Sequence, residues 1–467
     1  MKNKVLIANR GEIALRGINA CKELGLDYVA IYTQQDSESL HARTALEEDM
    51  PGRKRAWRVS KYDDPNEILE AADATGCNAI FFGYGMLSEN WRVIRRLQKR
   101  SRPIIPIAPT WEYVRDLGSK VNTKKVARRL GIPTIPGSTS PVRDIIEAEE
   151  IVKRLVRKHG PDILIKASAG GGGRGLYELR NVDERSLDEL ALRFNEARSY
   201  ARNHFHDDTL LIEHLFSDFN HIEVQIIGDR KGRIVNFGTR NCTIQSPQRQ
   251  KRIELAPAFD TRIDYGFDPK KVMKEAIRHS MKMAYKLGYN SAGTWEWLVT
   301  KKGELYLLEV NTRIQVENDV SGRISSVKGR IGTNLIVEMI RTALGEELGY
   351  KQKHVSTGGR ASIEFRILAE DVDKDFEQWA GTITRFDFPK HEWAAVYTHV
   401  PNDRPYKIIT DYDPTLALVV IWGDSIDQAK ERGKRFLDEV VIEGEGSKPL
   451  VTNLDYLKSR IPNLWEF

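Results

Sequence analysis

Cysteine is scarce in this sequence, and no apolar run approaches the length that crosses a membrane. Only three cysteines occur in 467 residues, Cys21, Cys77 and Cys242. They lie far apart and form no CxxC pair, which argues against a disulfide framework and a cysteine-based zinc site. We therefore predict a reducing compartment, a cytoplasmic location and no membrane association.

A strong excess of one charge is also missing. The net charge is +6, from 72 Lys and Arg against 66 Asp and Glu, and the one dense basic run is Arg95 to Arg102. A nucleic-acid-binding surface needs a basic stripe with interleaved aromatic residues or a recognisable module, and the sequence has neither. We predict no nucleic acid partner, because small anionic substrates are enough to explain the charge balance.

Two common nucleotide-binding motifs are absent. "RGE" at Arg10 to Glu12 is not the GxGxxG of a dinucleotide site. In "KASAGGGGRG" the lysine, Lys166, precedes the glycines, whereas in a P-loop it follows them. A nucleotide site of another kind is therefore needed if this protein uses one.

The segments that are present predict an α/β protein of three domains. Residues 1 to about 115 alternate strand-like and helix-like segments, which predicts a parallel sheet. "GIPTIPGSTSP" is rich in turn residues and indicates a hinge, and a strand-rich tail follows residue 328. We predict domains at 1–115, 116–328 and 329–467.

The glycine run after Lys166 has two interpretations. A flexible linker would lie between domains with polar flanks, whereas this run directly follows the strand-like "ILIK". We favour a mobile flap whose backbone amides close over an anion.

The hairpin "GTWEWLVTKKGELYLLEV" predicts a pair of facing carboxylates. A two-residue turn at Lys302 and Gly303 places Glu296 opposite Glu309, with Asn311 next on the same face. Facing carboxylates lie ~5 Å apart at Cβ and repel unless a cation lies between them. These oxygen ligands suit Mg²⁺ or Mn²⁺. The alternative is a solvated hairpin, and a one-residue slip would put the two glutamates on opposite faces.

Three further polar segments have functional and purely structural interpretations. "EVNTRIQVEND" alternates polar and apolar residues, which on its own favours a solvent-facing strand over a reaction site. "EHLF", from Glu213 to Phe216, can hold a purine or belong to ordinary sheet. The loop that carries Gln245, Arg249 and Lys251 can be an ordinary solvated loop. It indicates an anion-binding site only if its basic side chains and Arg366 lie around the same anion.

Five motifs in this order, "ANRGEIALR", "GYGMLSEN", "KASAGGGGRG", "AGTWEW" and "EVNTRIQVE", closely resemble the biotin carboxylases, members of the ATP-grasp superfamily. The resemblance covers nearly the whole chain. It implies a Rossmann-like N-terminal domain, a central ATP-grasp domain with a mobile lid subdomain at about 137–210, and a C-terminal biotin-carboxylase-type domain. It also implies the reaction: MgATP activates bicarbonate as carboxyphosphate, and CO₂ is transferred to N1 of biotin on a carrier protein.

The resemblance further implies roles for individual residues. Glu213 to Phe216 match the adenine-binding segment, and His221 matches a ribose contact. Matches to nucleotide contacts are Lys120, Lys166, Gly172, Gly173, Glu213, His214, Leu215, Phe216, His221, Gln245, Arg249 and Leu298. Matches to metal ligands are Glu296, Glu309 and Asn311. Matches to the bicarbonate and biotin sites are Lys251, Arg313, the backbone of Val316, the general base Glu317, and Arg366, which stabilises the biotin enolate.

The chain departs from the family pattern around the bicarbonate and biotin sites. Where the family usually has Glu, Asp and His-Pro, this chain has Thr239, Asn241 and the pair Asn318 and Asp319. The loop before Lys251 is one residue longer, with Arg249 or Gln248 at a position where a histidine contacts ATP. These departures concern the residues expected to bind the carboxyl acceptor more than the residues expected to bind the nucleotide.

Three hypotheses follow. The first is a biotin carboxylase subunit of an acyl-CoA or 2-oxoacid carboxylase, a homodimer whose carrier and carboxyltransferase partners are separate chains. The second is a divergent ATP-grasp ligase that activates bicarbonate or another carboxylate for a different nucleophile. The third is a non-catalytic paralogue with an assembly or regulatory role, against which the intact set of predicted site residues argues.

Overall fold

The N-terminal region forms the predicted parallel sheet. The computed structural model describes residues 3–168, 175–183, 187–205 and 208–466. Five parallel strands lie in the order β3-β2-β1-β4-β5. They are β1 Lys4–Ile7, β2 Asp27–Tyr32, β3 Ala56–Arg58, β4 Ala79–Phe81 and β5 Ile105–Ile107. The helices are α1 Gly11–Glu23, α2 Leu40–Glu47, α3 Pro65–Thr75, α4 Trp91–Gln98 and α5 Trp111–Leu117.

Both faces of this sheet are buried. Val5 and Ile7 of β1 pack into one hydrophobic core, and Leu6 packs into another on the opposite face. Alternate side chains of a strand point to opposite faces, so a parallel sheet covered on both sides needs apolar residues throughout. The predicted α/β class is confirmed.

A small antiparallel sheet with two long helices follows. Helix α6 Lys120–Arg129 leads into α7 Ile145–His159, β6 Ile163–Ala167, β7 Leu176–Leu179, α8 Leu187–Phe205 and β8 Leu210–His214. The strand order is β7-β6-β8, and the two long helices share one core with it. Lys166 is the penultimate residue of β6, so the central strand delivers it. The predicted flap at Gly170 to Gly173 lies outside the described residues.

The largest sheet of the described residues has eight strands. Its order is β13-β12-β9-β10-β11-β17-β23-β21. Five of its strands are β9 Phe219–Gly228, β10 Ile234–Gln245, β11 Lys251–Ala256, β12 Ala292–Thr300 and β13 Leu305–Asn311. Two helices occur in the same part of the chain, α9 Pro269–Leu287 and α10 Asn318–Ile324. Because β11 pairs with β17, this sheet continues across the domain boundary predicted at residue 328.

The remaining elements complete that sheet and form small satellite sheets. The strands are β14 Ser326–Val327, β15 Arg330–Ile331, β16 Val355–Ser356, β17 Ala361–Leu368, β18 Glu370–Asp371, β19 Glu377–Gln378, β20 Thr382–Asp387, β21 Ala394–Thr398, β22 Tyr406–Lys407, β23 Thr415–Gly423 and β24 Val441–Glu445. The helices are α11 Leu335–Ala343, α12 Ile426–Asp438 and α13 Leu454–Arg460. Among the described residues no helix combines the length and apolar character needed to cross a membrane, and all three cysteines are buried and free.

Candidate active site

The two predicted carboxylates face each other. Glu296 on β12 pairs directly with Glu309 on β13, and Thr294 pairs with Asn311. The predicted two-residue turn is wrong, because Thr300 hydrogen-bonds to Glu304 around a three-residue loop that ends at Gly303, whose φ is 76°. A bulge between Glu296 and Trp297 shifts the register back by one residue. Two irregularities therefore cancel, and the facing pair is confirmed for a reason that the sequence pattern did not supply.

Glu296 lies at the centre of a polar cluster. His221 Nε2 lies 2.9 Å from Oε2, while the side-chain amides of Asn311 and Gln315 donate to Oε1 at 2.6 and 2.8 Å. Burial alone would raise the pKa of Glu296, but the charges of Lys251 and His221 outweigh it and lower that pKa. The carboxylate is ionised and surrounded by groups that a bound cation would reorganise.

The donor set fits a hard divalent cation. Glu309 contacts Lys120, with 3.5 Å between Oε2 and Nζ, and its side chain is 30% exposed. Two carboxylates and an amide oxygen are the ligands that Mg²⁺ and Mn²⁺ prefer. Ligand atoms of Glu296 also lie within 4.8 Å of those of His221 and Glu223. We prefer the set with Glu309 because a histidine nitrogen is a softer ligand than Mg²⁺ favours.

The predicted general base lies between two cations. Lys251 Nζ is 2.5 Å from Glu317 Oε1, and Arg366 Nη2 is 3.1 Å from Glu317 Oε2. Burial would raise the pKa of Glu317, but Lys251, Arg366 and Arg240 hold it well below its usual range. An incoming anion that attracts Lys251 and Arg366 would weaken these contacts, and the basicity of Glu317 would then rise.

Arg313 lies near Glu296 and Glu317, in the polar cleft that these side chains line, and is held there by a residue that the sequence pattern did not indicate. Its Nε lies 3.0 Å from Glu89 Oε2, and its Nη2 donates to Asn311 Oδ1 at 3.4 Å. The carbonyl of Val316, the predicted backbone contact, accepts from Arg16 at 3.4 Å. Glu89 lies in the quoted motif "GYGMLSEN", so the motif carried the signal, but nothing in it identified Arg313 as the partner.

Arg240, a second residue that was not predicted, anchors the base loop, residues 312–317, which ends at the predicted general base. Arg240 is fully buried and contacts Glu223 at 2.5 Å. It also donates to Gln225, Gln315 and Ser321, each at 3.0 Å. This fan of hydrogen bonds ties β9 and β10 to the segment that leads into Glu317, which fixes the base relative to the sheet.

At the other end of the cleft, Lys166 and Lys124 share one carboxylate. Both contact the fully buried Glu213. Burial opposes its ionisation, yet the two lysines lower the pKa of Glu213 to about 2. The Glu213 side chain therefore fixes both ammonium groups, and Lys124 was not predicted.

The other predicted nucleotide contacts line the same region. The ring of His214 meets Phe216 edge to face at 4.6 Å, and Phe216 stacks on Tyr306 at 5.2 Å. Leu215 and Leu298 are buried, and Leu298 pairs with His221 across β12 and β9. An aromatic and aliphatic surface beside two lysines suits a purine with its phosphates.

The longer loop before Lys251 contacts the small sheet. Arg249 has a positive φ of 60° and reaches Glu178 of β7 at 2.6 Å, so its guanidinium is held there. Gln245 Nε2 lies 3.0 Å from His221 Nδ1. Gly172 and Gly173 lie outside the described residues, and their predicted role stays a prediction.

The positions that depart from the family pattern have specific partners. Asn318 Oδ1 accepts from Arg16 of α1 at 2.8 Å. Asp319 Oδ2 accepts from Tyr397 at 2.5 Å and from Arg323 at 2.7 Å. These contacts tie the end of the base loop to both the N-terminal and the C-terminal regions.

A cleft between a broad antiparallel sheet and a small three-stranded sheet, with a lysine on the central strand of the small sheet and facing carboxylates on the broad sheet, defines an ATP-grasp enzyme. Residues 119–351 match the ATP-binding domain of the carbamoyl-phosphate synthase L chain. Residues 1–114 and 364–463 match the N-terminal and C-terminal domains of biotin carboxylase.

Two curated relatives span nearly the whole chain. The 2-oxoglutarate carboxylase small subunit of Hydrogenobacter thermophilus is 36% identical over 97% of this chain and 90% of that protein. The biotin carboxylase of Pseudomonas aeruginosa is 35% identical over 99% of this chain and 97% of that protein. The chain therefore belongs to the biotin carboxylase family of ATP-dependent ligases, and it is the biotin carboxylase subunit of a biotin-dependent carboxylase.

Solved structures agree with this assignment. The biotin carboxylase domain dimer of the H. thermophilus enzyme, in complex with MgADP, ADP and bicarbonate, superposes with a TM-score of 0.87 at 34% identity and covers 100% of this chain and 95% of that chain. The Campylobacter jejuni biotin carboxylase–β-γ-ATP complex gives 0.86 at 32% identity, over 99% and 96%. The three-domain fold expected from the resemblance is confirmed.

Proposed function

We propose that this protein carboxylates N1 of biotin on a separate carrier protein, using MgATP and bicarbonate through carboxyphosphate. The observation that carries the proposal is the position of Glu317, between Lys251 at 2.5 Å and Arg366 at 3.1 Å. An ionised base flanked by two cations is suited to an anionic substrate that must lose a proton.

The first step joins two anions and needs positive charge. Arg313 and Lys251 hold bicarbonate, and Glu317 accepts its proton as a bicarbonate oxygen attacks the γ-phosphorus and the bond to ADP breaks. Lys120 and Lys166, the predicted phosphate contacts, together with Lys124 would offset charge on the ATP phosphates. Mg²⁺ held by Glu296, Glu309 and Asn311 supplies further charge neutralisation when bound.

The second step transfers CO₂. Carboxyphosphate breaks its C–O bond to release CO₂ and phosphate, the phosphate takes the N1 proton of biotin, and N1 forms the new bond to carbon. Arg366 stabilises the negative charge that develops on the ureido oxygen.

The relatives' names support separate partner chains. The H. thermophilus relative is a small subunit, and one similar solved structure, 33% identical with a TM-score of 0.75, is the biotin carboxylase subunit of pyruvate carboxylase. We propose a biotin carboxyl carrier protein and carboxyltransferase chains as partners, and a homodimer by analogy with the crystallised dimer. The carboxyltransferase selects the final acceptor, an acyl-CoA or a 2-oxoacid. The cytoplasmic location stays a prediction.

A second candidate is a ligase that carboxylates a nucleophile other than biotin. The contacts of Asn318 and Asp319 favour it, because they lie just beyond the base at positions where the chain departs from its family. The nucleotide end of the cleft would be the same in both cases.

One assay separates the two candidates. We expect ATP hydrolysis that depends on bicarbonate and rises when free biotin is added, with carboxybiotin formed from labelled bicarbonate. Arg366→Gln is expected to abolish the response to biotin but to keep bicarbonate-dependent hydrolysis measurable. Hydrolysis that is indifferent to biotin would overturn the proposal in favour of the second candidate.

A further inference from the structure

Two buried carboxylates face each other beside Arg366. Strands β11 and β17 pair so that Glu254 lies directly opposite Glu364. Directly opposed side chains share one face of a sheet with Cβ atoms ~5 Å apart. Both side chains are fully buried. Neither residue is part of the proposed chemistry described above, so their presence needs a separate explanation.

Positive charge near this pair is limited. Arg366 contacts Glu254 through Nη2, and its Nε is 3.8 Å from Glu364 Oε1. The same Nη2 atom also lies 3.1 Å from Glu317. The nearby Lys251 already contacts two other carboxylates, Glu317 and Glu223. Three carboxylates therefore surround one guanidinium.

The oxygens of the pair also need a donor. Among the described residues, Glu254 Oε2 and Glu364 Oε2 are buried without a hydrogen-bond partner. An ionised oxygen in that position is strongly unfavourable, whereas one proton held between two carboxyl groups satisfies both of them. Carboxyl pairs that share a site ionise in two separate steps for the same reason.

We propose that Glu254 and Glu364 share one proton and, as a pair with a single negative charge, act as positioning residues for Arg366. The directions of the pKa shifts agree with this assignment. Burial raises the pKa of Glu254 to about 7, and burial together with Glu254 raises the pKa of Glu364 well above its usual value.

The pair links pH to the geometry of Arg366. Glu254 faces Arg366 and Glu364 on β17, Lys251 on β11, and Glu317 on the base loop, and Glu364 also faces Arg16 on α1. While the shared proton is present, the pair and Glu317 pull on Arg366 from two sides. When the pH rises far enough to remove the shared proton, the pair gains a second negative charge and draws Arg366 toward the sheet, away from the cleft.

The inference deepens the proposed function, since it rests on the role of Arg366 toward biotin. Its first test does not involve biotin. Infrared difference spectroscopy of the full chain, titrated from pH 6 into the alkaline range, should show a protonated carboxyl band that disappears as the shared proton leaves. We expect Glu364→Gln to lose this band and the control Glu370→Gln to keep it, because Glu370 is buried against a different cation, Arg252. A band that persists in Glu364→Gln would overturn the shared proton.

The second test is kinetic. The wild-type kcat/KM for biotin should fall about tenfold as the pH rises through the transition. Glu364→Gln, whose amide donates a hydrogen bond as the protonated acid does, should keep the wild-type KM for biotin at pH 7 and lose the pH dependence. Glu364→Leu, which cannot donate, should raise that KM about tenfold without changing the KM for ATP. An unchanged pH profile in Glu364→Gln would overturn the positioning role. A wild type that forms no carboxybiotin but shows the titrating band would instead refute the proposed function alone.

Discussion

Arg313 is held in the cleft by Glu89, with 3.0 Å between Nε and Oε2. Glu89 Oε1 also accepts the backbone N–H of Thr312 at 3.2 Å. One carboxylate from the N-terminal region therefore orients both the side chain and the backbone of the predicted bicarbonate-binding segment. The pair joins two regions that are more than 200 residues apart in sequence.

Glu89→Gln should raise the KM for bicarbonate. The amide keeps a hydrogen bond but loses the charge that orients Arg313, and the pair is partly exposed, so we expect an effect of about three- to tenfold. The KM for ATP should change little. Steady-state kinetics with bicarbonate varied at saturating ATP measures this.

The matched control is Glu112→Gln, an exposed glutamate on α5. It should leave both constants unchanged. A Glu89→Gln enzyme with the wild-type KM for bicarbonate would show that Arg313 does not need this partner.

Glu213 should make stability depend on pH in the acid range. Its folded-state pKa is about 2 against an ordinary value of 4.5, so it contributes stability above its unfolded pKa that is lost as the pH falls from about 4.5 to about 2. The shift corresponds to about 3 kcal/mol in the free energy of unfolding. Urea unfolding across this range should show a steeper loss for the wild type than for Glu213→Gln.

The control for that measurement is Glu150→Gln, an exposed glutamate of α7. It should follow the wild-type pH dependence. If Glu213→Gln and the wild type lose stability in parallel, the two lysines do not hold Glu213 ionised in the folded state.

Asn318→Ala should loosen the base loop. Arg16 Nη2 would lose its acceptor at 2.8 Å, which leaves the 3.4 Å hydrogen bond from Arg16 Nη1 to the Val316 carbonyl as the remaining link to α1. We expect the KM values for bicarbonate and biotin to rise about three- to tenfold while the KM for ATP stays the same, because one of the two hydrogen bonds between Arg16 and this segment is lost and the other remains. The matched control is Asn19→Ala, which changes an exposed asparagine on α1, the helix that carries Arg16. A rise in the KM for ATP alone would contradict this assignment.

The fold could be predicted from local patterns, but most charge partners could not. Alternation of strand and helix segments predicted the parallel sheet, since that pattern repeats within short windows. The partners of Lys124 and Arg313 lie 89 and 224 residues away in sequence. Periodicity carries no information at that separation, so Lys124, Glu89 and Arg240 were missed.

The facing glutamates show how a correct prediction can rest on an incomplete reason. The assumed turn at Lys302 and Gly303 was short by one residue, and the bulge at Leu308 that compensates for it has no signal in the sequence. Bulges occur near functional sites because they redirect side chains without changing the rest of a strand. Here the bulge brings Glu309 and Asn311 onto the face of Glu296.

The pair of Glu296 and Glu309 gives the most direct test of the proposed metal site. Glu296→Gln should reduce Mg²⁺-dependent ATP turnover by at least about 100-fold, because it removes the charge of a ligand that lies opposite Glu309. Mn²⁺ binding, followed by electron paramagnetic resonance in the presence of ADP, should weaken in parallel, which provides a readout independent of turnover. Glu304→Gln changes an exposed glutamate beside the turn of the same hairpin and should affect neither measurement. Full activity and unchanged Mn²⁺ binding in Glu296→Gln would refute the metal assignment, whereas weak binding with normal turnover would mean that the ligand set is right but the cation does not limit the reaction.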